Sequence, residues 1–79
     1  MTYTVKSESK IRLSKSSNWL TPYEVCEFVL DNSLCNIDRF IDMHILNGYR
    51  KNILKDGKIT LYKQVANNEC ELITITENK

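Results

Sequence analysis

Apolar residues change their spacing twice along the chain. From Tyr3 to Leu13 they stand at Tyr3, Val5, Ile11 and Leu13 around a polar middle, which predicts one irregular strand or two short ones. Ser14 to Asn18 is a polar connector. The spacing then becomes helical. Thr21, Pro22 and Glu24 spell a capping box with proline at the first helical position, and Leu20 and Val25 stand where a hydrophobic staple belongs. Val25, Phe28 and Val29 supply the buried stripe, so a first helix is expected from Thr21 to about Asp31, ended by Asp31, Asn32 and Ser33. A second helix is expected from Asn36, with Ile37, Phe40, Ile41, His44 and Ile45 on one face and Asn47-Gly48 as its stop. After Gly48 the period is two. Asp56-Gly57 predicts a hairpin joining Tyr49–Lys55 to Lys58–Val65, with Lys55 facing Lys58 across the turn. Ala66, Asn67 and Asn68 form a second turn, and Glu69 to Thr76 a last strand rich in sheet-forming residues.

These elements predict an α+β fold in one small domain spanning residues 1–79. Two short helices pack on an antiparallel β-sheet in the order β-α-α-β-β-β. Residues 1–18 are the N-terminal strand and connector, 19–48 the helical pair and 49–79 an antiparallel meander. Composition agrees with one packed unit: 42% of the residues are hydrophobic, and only two Gly and one Pro interrupt the chain. No stretch approaches the roughly 20 apolar residues that span a bilayer, so no membrane partner is expected. Met1 to Lys10 lacks the apolar core of a secretion signal. Cys26, Cys35 and Cys70 are odd in number and widely spaced, which disfavours a disulfide framework. Both points predict a cytoplasmic protein.

The formal net charge is only +1, but its sign alternates along the chain. Lys6, Lys10, Arg12 and Lys15 make the start basic. Glu24, Glu27, Asp31, Asp38 and Asp42 make the middle acidic. Arg50, Lys51, Lys55, Lys58 and Lys63 make the following hairpin basic. Such alternation implies either electrostatic partner choice or salt bridges between neighbouring elements. Catalytic groups do not cluster. His44 is the only histidine and falls on an apolar helix stripe; the cysteines lack metal spacing; Gly48 and Gly57 each serve a turn. Asp38 and Asp42 lie one helical turn apart, opposite the buried stripe. No metal, cofactor or enzymatic activity is expected. Binding features are stronger. Arg50, Lys51, Lys55, Lys58 and Lys63 interleave with Tyr49 and Tyr62 on a ribbon suited to phosphate contacts, or to a lysine-guarded sheet edge. Arg39, Met43 and Leu46 form a second helix stripe, suited to a partner or to contact with the sheet.

The run Trp19-Leu20-Thr21-Pro22-Tyr23-Glu24-Val25, the corner Ser33-Leu34, the segment Ile37, Arg39, Phe40, Ile41, and the tip Lys55-Asp56-Gly57-Lys58 followed by Leu61-Tyr62 resemble the winged-helix domain of phage excisionases and MerR-type regulators, over about residues 19–63. That resemblance implies a winged-helix-like fold. Its second helix would enter a major groove and its basic wing would lie on the adjacent backbone. Two functions follow for a non-enzymatic binding or regulatory protein. In the first, the basic hairpin contacts DNA through Arg50, Lys51, Lys55, Lys58 and Lys63, with Arg39 at a base edge and the N-terminal cations extending the footprint. In the second, a phage or mobile-element protein binds and inhibits a host protein (a polymerase, nuclease or cell-division factor) through charge-segregated surfaces including Asp38, Asp42 and Met43. The DNA-contacting reading stands first and the host-protein reading is its alternative; Asp38 and Asp42 depart from the DNA-binding pattern, because carboxylates on the would-be recognition helix repel phosphates.

Overall fold

The computed structural model describes all residues, Met1–Lys79. It contains β1 (Thr2–Ile11), β2 (Glu24–Asp31), α1 (Ile37–Leu46), β3 (Arg50–Ile53), β4 (Ile59–Ala66) and β5 (Glu69–Asn78). The strands form one sheet in the order β2-β1-β5-β4-β3, each neighbouring pair antiparallel. β2 and β3 are consecutive strands at opposite edges, so α1 carries the chain across one face of the sheet between them.

The expected pair of helices is therefore corrected to a single one, and the order is β-β-α-β-β-β. The segment that was to be the first helix is β2. Its helical signals are local, whereas its strand is made by eight residues of backbone pairing with β1, from Thr2 opposite Asp31 to Ser9 opposite Glu24. The amide that a Thr21 cap would have held shows the competition: Tyr23 N–H donates to the carbonyl of Ser9 at 3.0 Å. Val25, Phe28 and Val29 are β-branched or aromatic and suit a pleated sheet as well as a helix stripe. A winged-helix arrangement is not formed, because residues 24–31 contribute a strand. The N-terminal segment is one continuous strand, central in the sheet between β2 and β5, rather than an irregular one.

α1 stands where its caps place it. The Asn36 side chain accepts from Asp38 N–H at 2.8 Å and Arg39 N–H at 3.4 Å, and Asn32 Oδ1 accepts from Ile37 N–H at 2.9 Å. At the other end Gly48 adopts φ +95°. Gly48 N–H donates to the Ile45 carbonyl and Tyr49 N–H to the His44 carbonyl, both at 3.0 Å, which is the paired bonding of a Schellman stop. An added Cβ at Gly48 meets only Lys63 Cε at 3.6 Å, an ordinary contact. The cost of Gly48→Ala is therefore backbone strain alone, about 1–2 kcal/mol, and a urea melt should show a lower midpoint with an unchanged slope.

The core lies between α1 and the sheet. Val5, Leu30, Ile37, Ile41, Leu61, Ile73 and Ile75 are buried together, with Tyr3, Phe40, Tyr49 and Ile59 packed around them. Register explains the set: Val5 and Ile59 both lie opposite Ile75, and Leu61 lies opposite Ile73, so period-two alternation delivers all of them to one face. The other face carries no helix. It presents Thr4, Lys6, Glu8, Thr60, Tyr62, Thr74 and Thr76. At one end of that face the thiol of Cys70 is buried, and burial pushes its pKa up. There the β1–β2 connector is tied to the β4–β5 turn: Arg12 N–H donates to Asn68 at 3.0 Å, its Nη2 donates to the Asn67 carbonyl at 2.8 Å, and its guanidinium lies 4.4 Å over the Trp19 ring. The only helix is too short to cross a membrane.

The Asp56-Gly57 hairpin has a three-residue loop rather than a two-residue one. Leu54 N–H donates to Lys58 O at 2.8 Å, Gly57 N–H donates to Leu54 O at 3.0 Å, and Gly57 takes φ +89°. Lys58 thus faces Leu54 across the ladder, while Lys55 sits in the loop.

Candidate functional site

Beside α1 runs a groove of about 500 Å³ whose lining includes Leu34, Cys35, Arg39, Phe40, Met43 and His44. Helix geometry makes it. Ile37 and Ile41 point into the core. Phe40 and His44 occupy one flank of that stripe, and Arg39 and Met43 form the next row outward. Leu34 is 87% exposed and Met43 63% exposed, so both present most of an apolar side chain to solvent. The groove is continuous with a row of rings. Phe28 meets Phe40 edge to face at 6.3 Å, Phe40 lies 4.4 Å from His44, and His44 lies 5.1 Å from Tyr49. His44 is fixed within the row: the carbonyl of Phe40 can only accept, so Nδ1–H donates to it at 2.8 Å.

Tyr49 ends the row in a polar contact. Its hydroxyl donates to Glu71 Oε2, and Lys63 Nζ lies 5.5 Å from its ring centroid. Burial, reinforced by Glu71, pushes the Tyr49 pKa up to about 12. The folded chain then keeps this proton where the unfolded chain loses it. Its contribution to stability is complete below about pH 10 and is lost as pH rises toward 12. Tyr49→Phe should remove that alkaline component and cost about 1–2 kcal/mol at neutral pH through the lost hydrogen bond. Denaturant melts at pH 7 and in the alkaline range check both.

The sequence-derived site residues scatter. Arg50 lies opposite Tyr62, on the face without a helix; Lys51 lies opposite Leu61, on the face with one. Lys63 shares the helix side and covers Tyr49. Lys55 and Lys58 are at the hairpin tip, where Lys58 Nζ approaches Asp56 Oδ2 at 3.8 Å. The five hairpin cations thus point in three directions and form no single phosphate-tracking surface. Arg39 and Met43 do come together, in the groove. Asp38 and Asp42 are exposed one turn apart on the neighbouring row of α1. No group of three or more His, Cys, Asp or Glu side chains converges as a metal site would require.

Sequence reasoning missed Leu34, Cys35 and Phe28 as site residues and assigned Phe40 and His44 to the core alone. The available signal was Leu34, a large apolar residue isolated between Ser33 and Cys35 in a turn. No protein-family model, curated protein or solved structure matches the chain.

Proposed function

We propose that this chain is a non-enzymatic binding protein that holds a partner protein through the groove beside α1. An apolar side chain of the partner enters between Leu34, Phe40 and Met43, and basic side chains flanking it meet Asp38 and Asp42. The observation that carries this reading is the groove itself, of about 500 Å³, with Leu34 exposed in the turn before α1 and Met43 exposed on the helix, which is capped at both ends. Methionine suits the role because its unbranched thioether adapts to the shape that enters. The acidic flank favours a basic partner segment through charge complementarity. The same carboxylates and the divergence of Arg50, Lys51, Lys55, Lys58 and Lys63 disfavour the DNA reading. Cys26 and Cys35, exposed and unpaired, suit a reducing compartment, and we place the protein in the cytoplasm.

The test is capture from nuclease-treated lysate with tagged wild-type protein, Met43→Glu and Lys55→Glu/Lys58→Glu as baits. The expected result is a discrete protein retained by wild type and the lysine variant and lost with Met43→Glu. The opposite pattern sinks the reading: nucleic acid retained by Met43→Glu, lost with the lysine variant, and weakened steeply by salt.

A further inference from the structure

The two edges of the sheet are built differently. β3 is four residues long and carries Arg50 and Lys51, with Lys55 and Lys58 beyond it, a cationic guard against edge pairing. β2 is eight residues long, contains no Lys, Arg, Gly or Pro, and carries Glu24, Glu27 and Asp31 as its only charges. Val25, Cys26, Phe28 and Val29 along it are all exposed, Val29 to 64%. Its outer backbone groups follow from one hydrogen bond. Asn32 N–H donates to Met1 O at 3.0 Å, which sets the alternation of the antiparallel ladder. The amides and carbonyls of Leu30, Phe28 and Cys26 then turn toward β1, and those of Val25, Glu27 and Val29 face outward without a strand to meet, as does the Asp31 amide; the Asp31 carbonyl is already taken by Leu34 N–H and Cys35 N–H, both at 3.0 Å.

We propose that β2 pairs with β2 of a second copy of this chain about a two-fold axis, giving one antiparallel sheet continuous through both copies. The chain is more extended than a compact monomer of its size. The chain exposes 5677 Å², whereas a compact monomer of its mass exposes about 4,900 Å². The shape agrees: the extents are 42 × 23 × 23 Å and the radius of gyration is 13.3 Å, against about 11.6 Å for a compact chain of this length.

The side chains select the register. A two-fold axis makes one residue its own partner, and pairing over the whole of β2 leaves Glu27 or Phe28 at the centre. Glu27 would oppose two carboxylates. Phe28 at the centre places Glu27 opposite Val29, Cys26 opposite Leu30 and Val25 opposite Asp31, with no like charges facing. It also uses the outward amides of Glu27, Val29 and Asp31 for the ladder, while the Asp31 carbonyl stays with the Leu34 and Cys35 amides of its own chain. The two Phe28 rings then meet on the helix side, and each already touches its own Phe40. Dimerisation therefore joins the two grooves through a row of aromatic rings.

Light scattering on the full chain over a concentration series tests the proposal. A mass twice 9.2 kDa is expected at high concentration. Val25→Glu, which sets a carboxylate against Asp31 of the second copy, should return the chain to a monomer with an unchanged circular dichroism spectrum. In a Cys26→Ser/Cys35→Ser background, Phe28→Cys should oxidise to a covalent dimer. Its two Cα atoms are about 4.5 Å apart at a non-hydrogen-bonded pair, within disulfide reach. Glu27→Cys in the same background should not cross-link. A monomer at every concentration overturns the proposal, as does a dimer that tolerates Val25→Glu and resists the Phe28→Cys cross-link. Met43→Glu should leave the mass unchanged, so loss of partner capture and loss of the dimer are read separately.

Discussion

Leu61→Ala should leave the chain largely unfolded or only marginally folded at 37 °C. Leu61 is 0% exposed and sits on β4 between β5 and β3, under α1. It shares its cluster with Val5, Ile41, Ile73 and Ile75, drawn from three other elements, so no single neighbour can move to fill the space. Truncating a fully buried leucine costs about 2–5 kcal/mol. A chain of this length has a total stability of about 4–12 kcal/mol. With only eight residues buried, the lower end applies, and the loss is comparable with the whole. Urea denaturation followed by circular dichroism should show little or no native baseline for Leu61→Ala. Val65→Ala, at an exposed position beside the β4 irregularity, should melt like the wild type. A variant at Leu61 as stable as wild type would mean that the core is not where the register of β4 and β5 puts it.

The core was legible wherever local signals and long-range pairing agree. Asn36 and Gly48 mark the ends of α1 by side-chain and backbone rules that need no tertiary partner. The alternation from Ile59 to Leu61 and from Ile73 to Ile75 identifies the buried side of two strands in the same way. Residues 21–31 were misread because the two levels disagree. Thr21, Pro22 and Glu24 are a sound helix start, and Val25, Phe28 and Val29 fit a helix stripe. The same residues also fit a strand, and what decides is a ladder with β1 some twenty residues away. Edge position deepens the ambiguity: β2 buries only Leu30, so it never shows the clean alternation of an interior strand.

The site was legible only in part for a related reason. Met43 and Arg39 were found because helix periodicity places them off the buried stripe. Leu34 and Phe28 join them through the path of the chain around α1, which no local pattern encodes. The basic hairpin looked like one surface because its cations are close in sequence. In a strand, however, adjacent residues face opposite ways, and Arg50 and Lys51 are parted by the sheet itself.

Proline substitutions at two adjacent positions of β2 should have opposite outcomes. Cys26 and Glu27 are both exposed, so neither loses core packing on substitution. The amide of Cys26 turns inward to β1, opposite Ser7, whereas that of Glu27 turns to the free edge. Cys26→Pro removes a ladder bond, leaves the Ser7 carbonyl without its donor and sets the proline ring against β1. The expected loss is about 3 kcal/mol. Glu27→Pro removes a donor that has no partner within the chain, and edge strands accept proline at such sites. At concentrations low enough to keep the chain monomeric, its denaturation midpoint should move by less than half as much. A helix over residues 21–31 would treat the two positions alike, since proline at either interior site costs about 3 kcal/mol. Equal destabilisation of the pair would therefore restore the helix, and the reverse order would shift the β1–β2 ladder by one residue. The predicted order fixes both the strand and the direction of its free amides, on which pairing with a second copy depends.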